Sequence, residues 1–204
     1  MPRRALLVID VQNEYFDGVM PIAHPPVAQS LPRIVDAMEA ARAAGIPVVA
    51  VRHGTVEGAP AFAPGSHGWQ LHPQVERQAC DLRLDKRQAS ALAGTGLDDW
   101  LRARGIDTLV LAGYMTHNCL LATALDASQR GLSVEVLADA AGSPAYANAA
   151  GRAGAEELHR VALVVLHSNF AAVTDAEGWK RAVRNDRRLV PDDVVRSHLR
   201  SRAA

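Results

Sequence analysis

Apolar positions along the chain gather in short continuous runs: Ala5-Leu-Leu-Val-Ile9, Ile46-Pro-Val-Val-Ala-Val51, Thr108-Leu-Val-Leu-Ala112, Leu132-Ser-Val-Glu-Val-Leu137 and Val161-Ala-Leu-Val-Val-Leu166. Most do not alternate with polar residues, as expected of strands covered on both faces. A weaker run, Leu82 to Leu84, raises the expected number of strands to six. Between the runs the apolar spacing turns helical. Val27 to Ala44 stops at Gly45, and Gly96 to Arg104 has Asp98 and Asp99 near its start and Arg102 and Arg104 near its end, before Gly105. That charge order suits the helix dipole, and glycine suits the terminus. Thr116 to Arg130 and Ala147 to Arg160 complete the helical segments. Strand and helix in alternation predict right-handed crossovers, hence an α/β fold: a three-layer α/β/α sandwich around a six-stranded, mainly parallel, Rossmann-like sheet.

Two segments depart from the rhythm. Gly54 to Cys80 carries Pro60, Pro64, Pro73 and glycines at 54, 58, 65 and 68, which predicts a long ordered excursion beside the carboxyl ends of the strands. The arginine-rich stretch from Lys180 to Ala204 reads as one or two amphipathic helices, so the expected organisation is one domain over residues 1–204 with a helical extension at about 180–204.

Composition narrows the partners. With 22 Lys+Arg against 22 Asp+Glu the formal net charge is zero, which speaks against nucleic acid or an acidic membrane surface and for a small molecule. The apolar run Ala5 to Ile9 is too short for a signal-peptide core and meets Asp10 directly, and no run approaches the length of a membrane span, so a cytoplasmic protein is expected. Cys80 and Cys119 are expected to be free thiols.

In open α/β sheets ligands bind beyond the carboxyl ends of the strands. Asp10 ends the first run, Lys86 follows the short one, and Cys119 opens a helix after the Thr108 run. A carboxylate at a buried strand end needs a cationic partner, and Lys86 is a candidate. A helix N-terminus and an ammonium would lower the pKa of the Cys119 thiol, Asp10 could take its proton, and backbone N–H groups before the helix could hold an oxyanion. Each residue alone also has a plain structural reading, as packing, cap or surface charge.

The stretches Leu7-Val-Ile-Asp-Val-Gln-Asn-Glu-Tyr-Phe16, Val51-Arg-His53, Gly65-Ser-His-Gly-Trp-Gln-Leu-His-Pro73, Asp85-Lys-Arg-Gln-Ala-Ser90 and Gly113-Tyr-Met-Thr-His-Asn-Cys-Leu-Leu-Ala-Thr-Ala124 together resemble the isochorismatase-like cysteine hydrolase superfamily over roughly residues 5–180. The resemblance implies a catalytic triad of Asp10, Lys86 and Cys119, a non-proline cis peptide between Met115 and Thr116, and an oxyanion hole from the N–H groups of Thr116 and Cys119. A cysteine at position 119 resembles the amidohydrolase branch, which cleaves a small amide or ureido C–N bond through a thioester and releases ammonia or an amine. The alternatives are an enol-ether hydrolase with Asp10 as general acid, and a non-catalytic or thiol redox-sensing protein on the same scaffold.

Nicotinamidases of the superfamily bind a metal through an Asp-x-His pair. Here Val51 stands at the Asp position before His53 and Ala59 where a further His is expected, so the resemblance implies no metal and no cofactor, and disfavours nicotinamide. His53, His67 and His72 read as hydrogen-bonding residues. Candidate pocket residues are Gln12, Tyr15, Phe16, His53, Leu92, His117, Asn118 and His167. The family also implies a homodimer or homotetramer.

Overall fold

The computed structural model describes residues 1–203. Six strands form one parallel sheet: β1 (Arg4–Ile9), β2 (Val48–His53), β3 (Leu82–Lys86), β4 (Thr108–Tyr114), β5 (Ser133–Gly142) and, last in the chain, β8 (Ala172–Thr174), in the spatial order β3-β2-β1-β4-β5-β8. An antiparallel hairpin, β6 (Tyr146–Asn148) and β7 (Gly151–Ala153), lies outside it. The helices are α1 (Val27–Ala43), the single turn α2 (Pro73–Glu76), α3 (Leu97–Ala103), α4 (Leu121–Gln129), α5 (Ala155–Val165), α6 (Ala176–Arg184) and α7 (Val194–Ser201). π-helical turns over Thr116–Leu120 and Leu166–Phe170 lead into α4 and out of α5.

Every residue of β1 and β4 is buried, as their largely apolar sequences favour. Side chains alternate across the sheet, and one core holds Leu6, Val8, Val48, Val110 and α1, the other Ala5, Leu7, Ile9, Val49, Leu109 and α4. Helices thus cover both faces, as expected. The chain builds β1, β2 and β3 outward in one direction and then returns to place β4 against the other edge of β1. The gap between β1 and β4 is therefore the point where the winding reverses, the usual seat of a ligand in such a sheet.

The sixth strand is not where the sequence predicts it. Val161 to Leu166 lies in α5 and the turn after it, and Ala147 to Arg160 is mostly the hairpin followed by the first half of α5. The reason is that Val161, Val164 and Val165 face outward while His159, Ala162 and Leu166 are buried, a helical spacing concealed by a run of apolar residues on both faces. The strand that pairs with β5 has three residues, too few to show a period.

Candidate active site

Asp10, Lys86 and Cys119 meet at the carboxyl ends of β1, β3 and β4, across the reversal point. Lys86 Nζ lies 2.8 Å from Asp10 Oδ2, donates to Cys119 Sγ at 3.1 Å and donates to the Gln88 carbonyl at 3.2 Å. All three residues are buried, at 0, 2 and 5% exposure. The contact with Asp10 is short but poorly directed, so neither carboxylate oxygen receives a well-formed hydrogen bond. Asp10 also has φ of 52°, left-handed backbone that a non-glycine residue adopts at a cost.

Local sequence explains the approach. Gly113, the penultimate residue of β4, has φ of 108°, and a Cβ there would overlap the Ile9 carbonyl oxygen. Only glycine lets β4 come that close to the residue preceding Asp10. On the other side, Thr123 Oγ1 donates to the Cys119 carbonyl at 2.7 Å and accepts from Ala91 N at 2.9 Å, while Ser90 Oγ donates to Asp126 at 2.6 Å. The loop after Lys86 is thereby tied to the helix after Cys119.

Burial, with a smaller contribution from Asp10, pushes the Cys119 thiol up to about 12, and Lys86 only partly offsets it. This corrects the expected lowering: the thiol is buried more deeply than its neighbouring ammonium can compensate. Burial raises Asp10 as well, against the pull of Lys86. Burial works against the Lys86 charge, yet Asp10 and Cys119 together hold its pKa above the ordinary value.

The cis peptide lies between Tyr114 and Met115, not between Met115 and Thr116. Strand β4 ends at Tyr114 and the π turn begins at Thr116, so the bend falls on the bond that leaves the strand. Thr116 is the first residue of that turn and Cys119 the fourth, positions whose N–H groups precede the intrahelical ladder. Thr116 Oγ1 is 2.8 Å from His159 Nδ1, a buried histidine held down to about 4 by burial and by His24 and His117.

The candidate pocket residues separate into three groups. Gln12 is a clamp: its side chain accepts from His53 N at 2.8 Å and donates to the carbonyls of His53 at 2.9 Å and Trp69 at 2.8 Å, which uses its donors and leaves no free face for a ligand. Phe16 stacks on His72 at 4.3 Å, Leu92 belongs to the core with Cys119, and His167 is held by Val173 N at 3.0 Å and, through its carbonyl, by Asp192 N at 2.8 Å. Tyr15, His53, His117 and Asn118 lie beside the triad. The Tyr15 hydroxyl is pushed well up by burial and by Asp10 and Cys119, whose charges it feels. His53 pairs in register with Lys86, and His117 lies two residues before Cys119. Tyr146, on β6, is the residue the sequence reading missed: its hydroxyl is 3.5 Å from Met115 Sδ, its ring meets His117 edge-on at 4.8 Å, and Asn118 and Cys119 both act on its pKa. It lies two residues after a proline in an irregular stretch, with no periodicity to mark it.

The other histidines of the excursion are spent elsewhere. His67 pairs with Asp17 at 2.9 Å, and His72 caps α2 through Gln74 N. Among the described residues no group of three or more His, Cys, Asp or Glu is arranged to hold a metal ion.

The Isochorismatase domain family matches residues 4–178, which contain all three residues of the triad. The chain belongs to the isochorismatase family. A crystal structure of an isochorismatase-family protein from Burkholderia xenovorans LB400 superposes with a TM-score of 0.98 at 51% identity, covering 99% of this chain and 97% of that one. Ureidoacrylate amidohydrolase RutB of Methylobacterium radiotolerans is 32% identical over 87% of this chain and 78% of its own length. Secreted isochorismatase effector Isc1 of Verticillium dahliae is 35% identical over 67% of this chain and 71% of its own. Among the described residues no helix is long and apolar enough to cross a membrane. With a secreted relative in the isochorismatase family, membership does not carry the cytoplasmic expectation with it.

Proposed function

We propose that this isochorismatase-family hydrolase is a cysteine amidohydrolase that cleaves a small amide or ureido C–N bond, with Cys119 as nucleophile, Asp10 as proton acceptor and donor, and Lys86 as the cation that holds both. The observation that carries the reading is the single ammonium bridging a buried carboxylate at 2.8 Å and a buried thiol at 3.1 Å. A structural salt bridge has no use for the sulfur.

With the thiol pushed up to about 12, sulfur is protonated at rest near neutral pH. Attack on the carbonyl carbon therefore forms the S–C bond as the S–H proton passes to Asp10, whose own raised pKa narrows the mismatch. The carbonyl electron pair moves onto oxygen, where the N–H groups of Thr116 and Cys119 stabilise it. Asp10 then gives its proton to the nitrogen as the C–N bond breaks, leaving a thioester and free ammonia or amine. Water attacks the thioester, its proton passing through Asp10 to the departing sulfur. Similarity to RutB, named for ureidoacrylate, supports a small amide or ureide. In this reading the 1–204 chain acts as one domain without a metal or cofactor.

One observation favours a second reading. A raised Asp10 can also protonate an enol ether, with Cys119 a bystander. Ammonia release from small amides and ureides by wild type and Cys119→Ala separates the two: amide hydrolysis that the substitution abolishes supports the thiol mechanism, and undiminished activity in Cys119→Ala overturns it.

A further inference from the structure

Among the described residues, the buried side-chain polar atoms without a hydrogen-bond partner are both oxygens of Asp10, Nδ1 of His53, Nε2 of His117 and Nε1 of Trp179. Leaving one buried polar group unmatched costs about 1–3 kcal/mol, so folded chains keep such groups few. Here all but the tryptophan nitrogen belong to three residues at one place. Spatial order β2-β1-β4 puts His53, the last residue of β2, on one side of Asp10, and the turn carrying His117 after β4 on the other.

The His53 residue is held through its backbone and the His117 ring through a hydrogen bond. Gln12 grips the His53 backbone through N–H and carbonyl at 2.8 and 2.9 Å, and Phe62 meets the ring edge-on at 5.6 Å. The His117 Nδ1 bonds Ser143 Oγ at 2.9 Å while Tyr146 covers the ring edge-on. Each ring thus keeps a buried nitrogen without a partner, an arrangement that suits a recognition group better than packing. Burial keeps both uncharged near neutral pH, His53 down to about 4 with help from Lys86. A neutral imidazole can leave its idle nitrogen as an acceptor: His117 by donating through Nδ1 to Ser143, His53 by carrying its proton on Nε2.

Building on the amidohydrolase reading, we propose that His53 Nδ1 and His117 Nε2 form a two-sided acceptor clamp for a ureido group, whose carbonyl is flanked by a terminal amino group and a substituted N–H. Each histidine takes an N–H on a different side of the carbonyl presented to Cys119. A carboxamide carries N–H on one side of its carbonyl only, and an ester on neither, so the clamp selects ureides.

N-carbamoylglycine and succinamate test this, because they differ by an N–H against a methylene on one side of the same carbonyl. Wild type is expected to favour N-carbamoylglycine by about 10²-fold in kcat/KM. His53→Leu and His117→Leu should each raise its KM about tenfold or more, with kcat falling less than KM rises, and one of the two should remove the preference over succinamate. His53→Asn and His117→Gln, which keep an acceptor near the lost nitrogen, should recover most of the affinity with Tm near wild type. A packing role would instead lower Tm and affect both compounds alike. Equal use of the two compounds by wild type, binding of neither, or leucine variants with unchanged KM and preference would overturn the clamp. Calorimetry of N-carbamoylglycine on Cys119→Ala and its histidine double variants keeps the two readings apart. Histidine-dependent binding without turnover by wild type leaves the clamp standing and removes the hydrolysis; turnover with histidine-independent KM does the reverse.

Discussion

Two buried ion pairs sit at opposite ends of the same sheet and are built to different ends. At the amino end, Arg4 holds Glu135 through two hydrogen bonds, Nε to Oε2 at 2.8 Å and Nη2 to Oε1 at 2.9 Å, and the pair is completed by the Arg187 carbonyl at 2.5 Å and Leu189 N at 3.3 Å. At the carboxyl end, Lys86 meets Asp10 at one oxygen and shares its ammonium with the Cys119 sulfur, which is itself within reach of the carboxylate. The first pair pins the segment after α6 beneath β1 and β5 with paired, directed hydrogen bonds. The second keeps capacity idle, on strained backbone, at the point where the sheet reverses. Paired, directed bonds mark the staple; a single shared contact marks the reactive group.

Substitutions should divide along this line. The largest effect falls at the carboxyl end: Cys119→Ala and Asp10→Asn are each expected to lower amide hydrolysis by about 10³-fold or more while the protein stays folded, as read by ammonia release beside circular dichroism. Breaking the other pair should do the opposite, with Glu135→Ala costing about 3–5 kcal/mol in urea unfolding and leaving kcat/KM of the folded fraction close to wild type. If Glu135→Ala lost turnover at full stability, the contrast would collapse. Gly113→Ala belongs to both classes, since the new Cβ would press on the Ile9 backbone that carries Asp10; a loss of about 2–3 kcal/mol in stability together with reduced kcat is expected.

A milder effect comes from acid. The folded-state pKa of His159 is about 4, below its ordinary 6.5, so the native chain binds fewer protons than the unfolded one. Its contribution is therefore fully present above about pH 6.5 and is lost as pH falls toward 4, at a cost of about 2 kcal/mol. His53 adds a loss in the same window. His159→Asn, which cannot titrate but can still bond Thr116, should flatten the acid limb of stability measured by denaturant titration; an unchanged slope would contradict the assignment. The smallest effect is expected at Cys80, half-buried and hydrogen-bonded only to the Gln78 carbonyl at 3.6 Å, where Cys80→Ser should shift stability by about 0.5 kcal/mol or less without touching turnover.

Legibility in the sequence followed how strongly each element imposed its own period. Strands β1, β2 and β4 announced themselves as nearly continuous apolar runs, β3 and β5 more weakly because Arg83, Ser133 and Glu135 interrupt them, and polar residues near the strand ends are why Asp10, Lys86 and Cys119 could be picked out. The last strand was hidden because three residues show no alternation and the valines of α5 imitated a strand on the solvent side. Gln12 looked like a pocket residue because its neighbours are, whereas its role as a clamp depends on a loop from Gly54 onward folding back over it. The direction of the thiol's pKa was misjudged for a similar reason: the ammonium beside it is visible in sequence, and the depth at which the sulfur lies is set by two layers of helices. Tyr146 reaches the site only through a hairpin whose course no local pattern fixes.

Thr123 joins the Cys119 carbonyl to the Ala91 amide through one hydroxyl, so the segment bearing the sulfur and the segment bearing the lysine are stitched together behind the site. Such a stitch makes the centre share the fate of the sheet: it has no separate way to loosen. Activity remaining after a heat pulse should then count intact molecules one for one, and the midpoint for inactivation should coincide with the midpoint for melting.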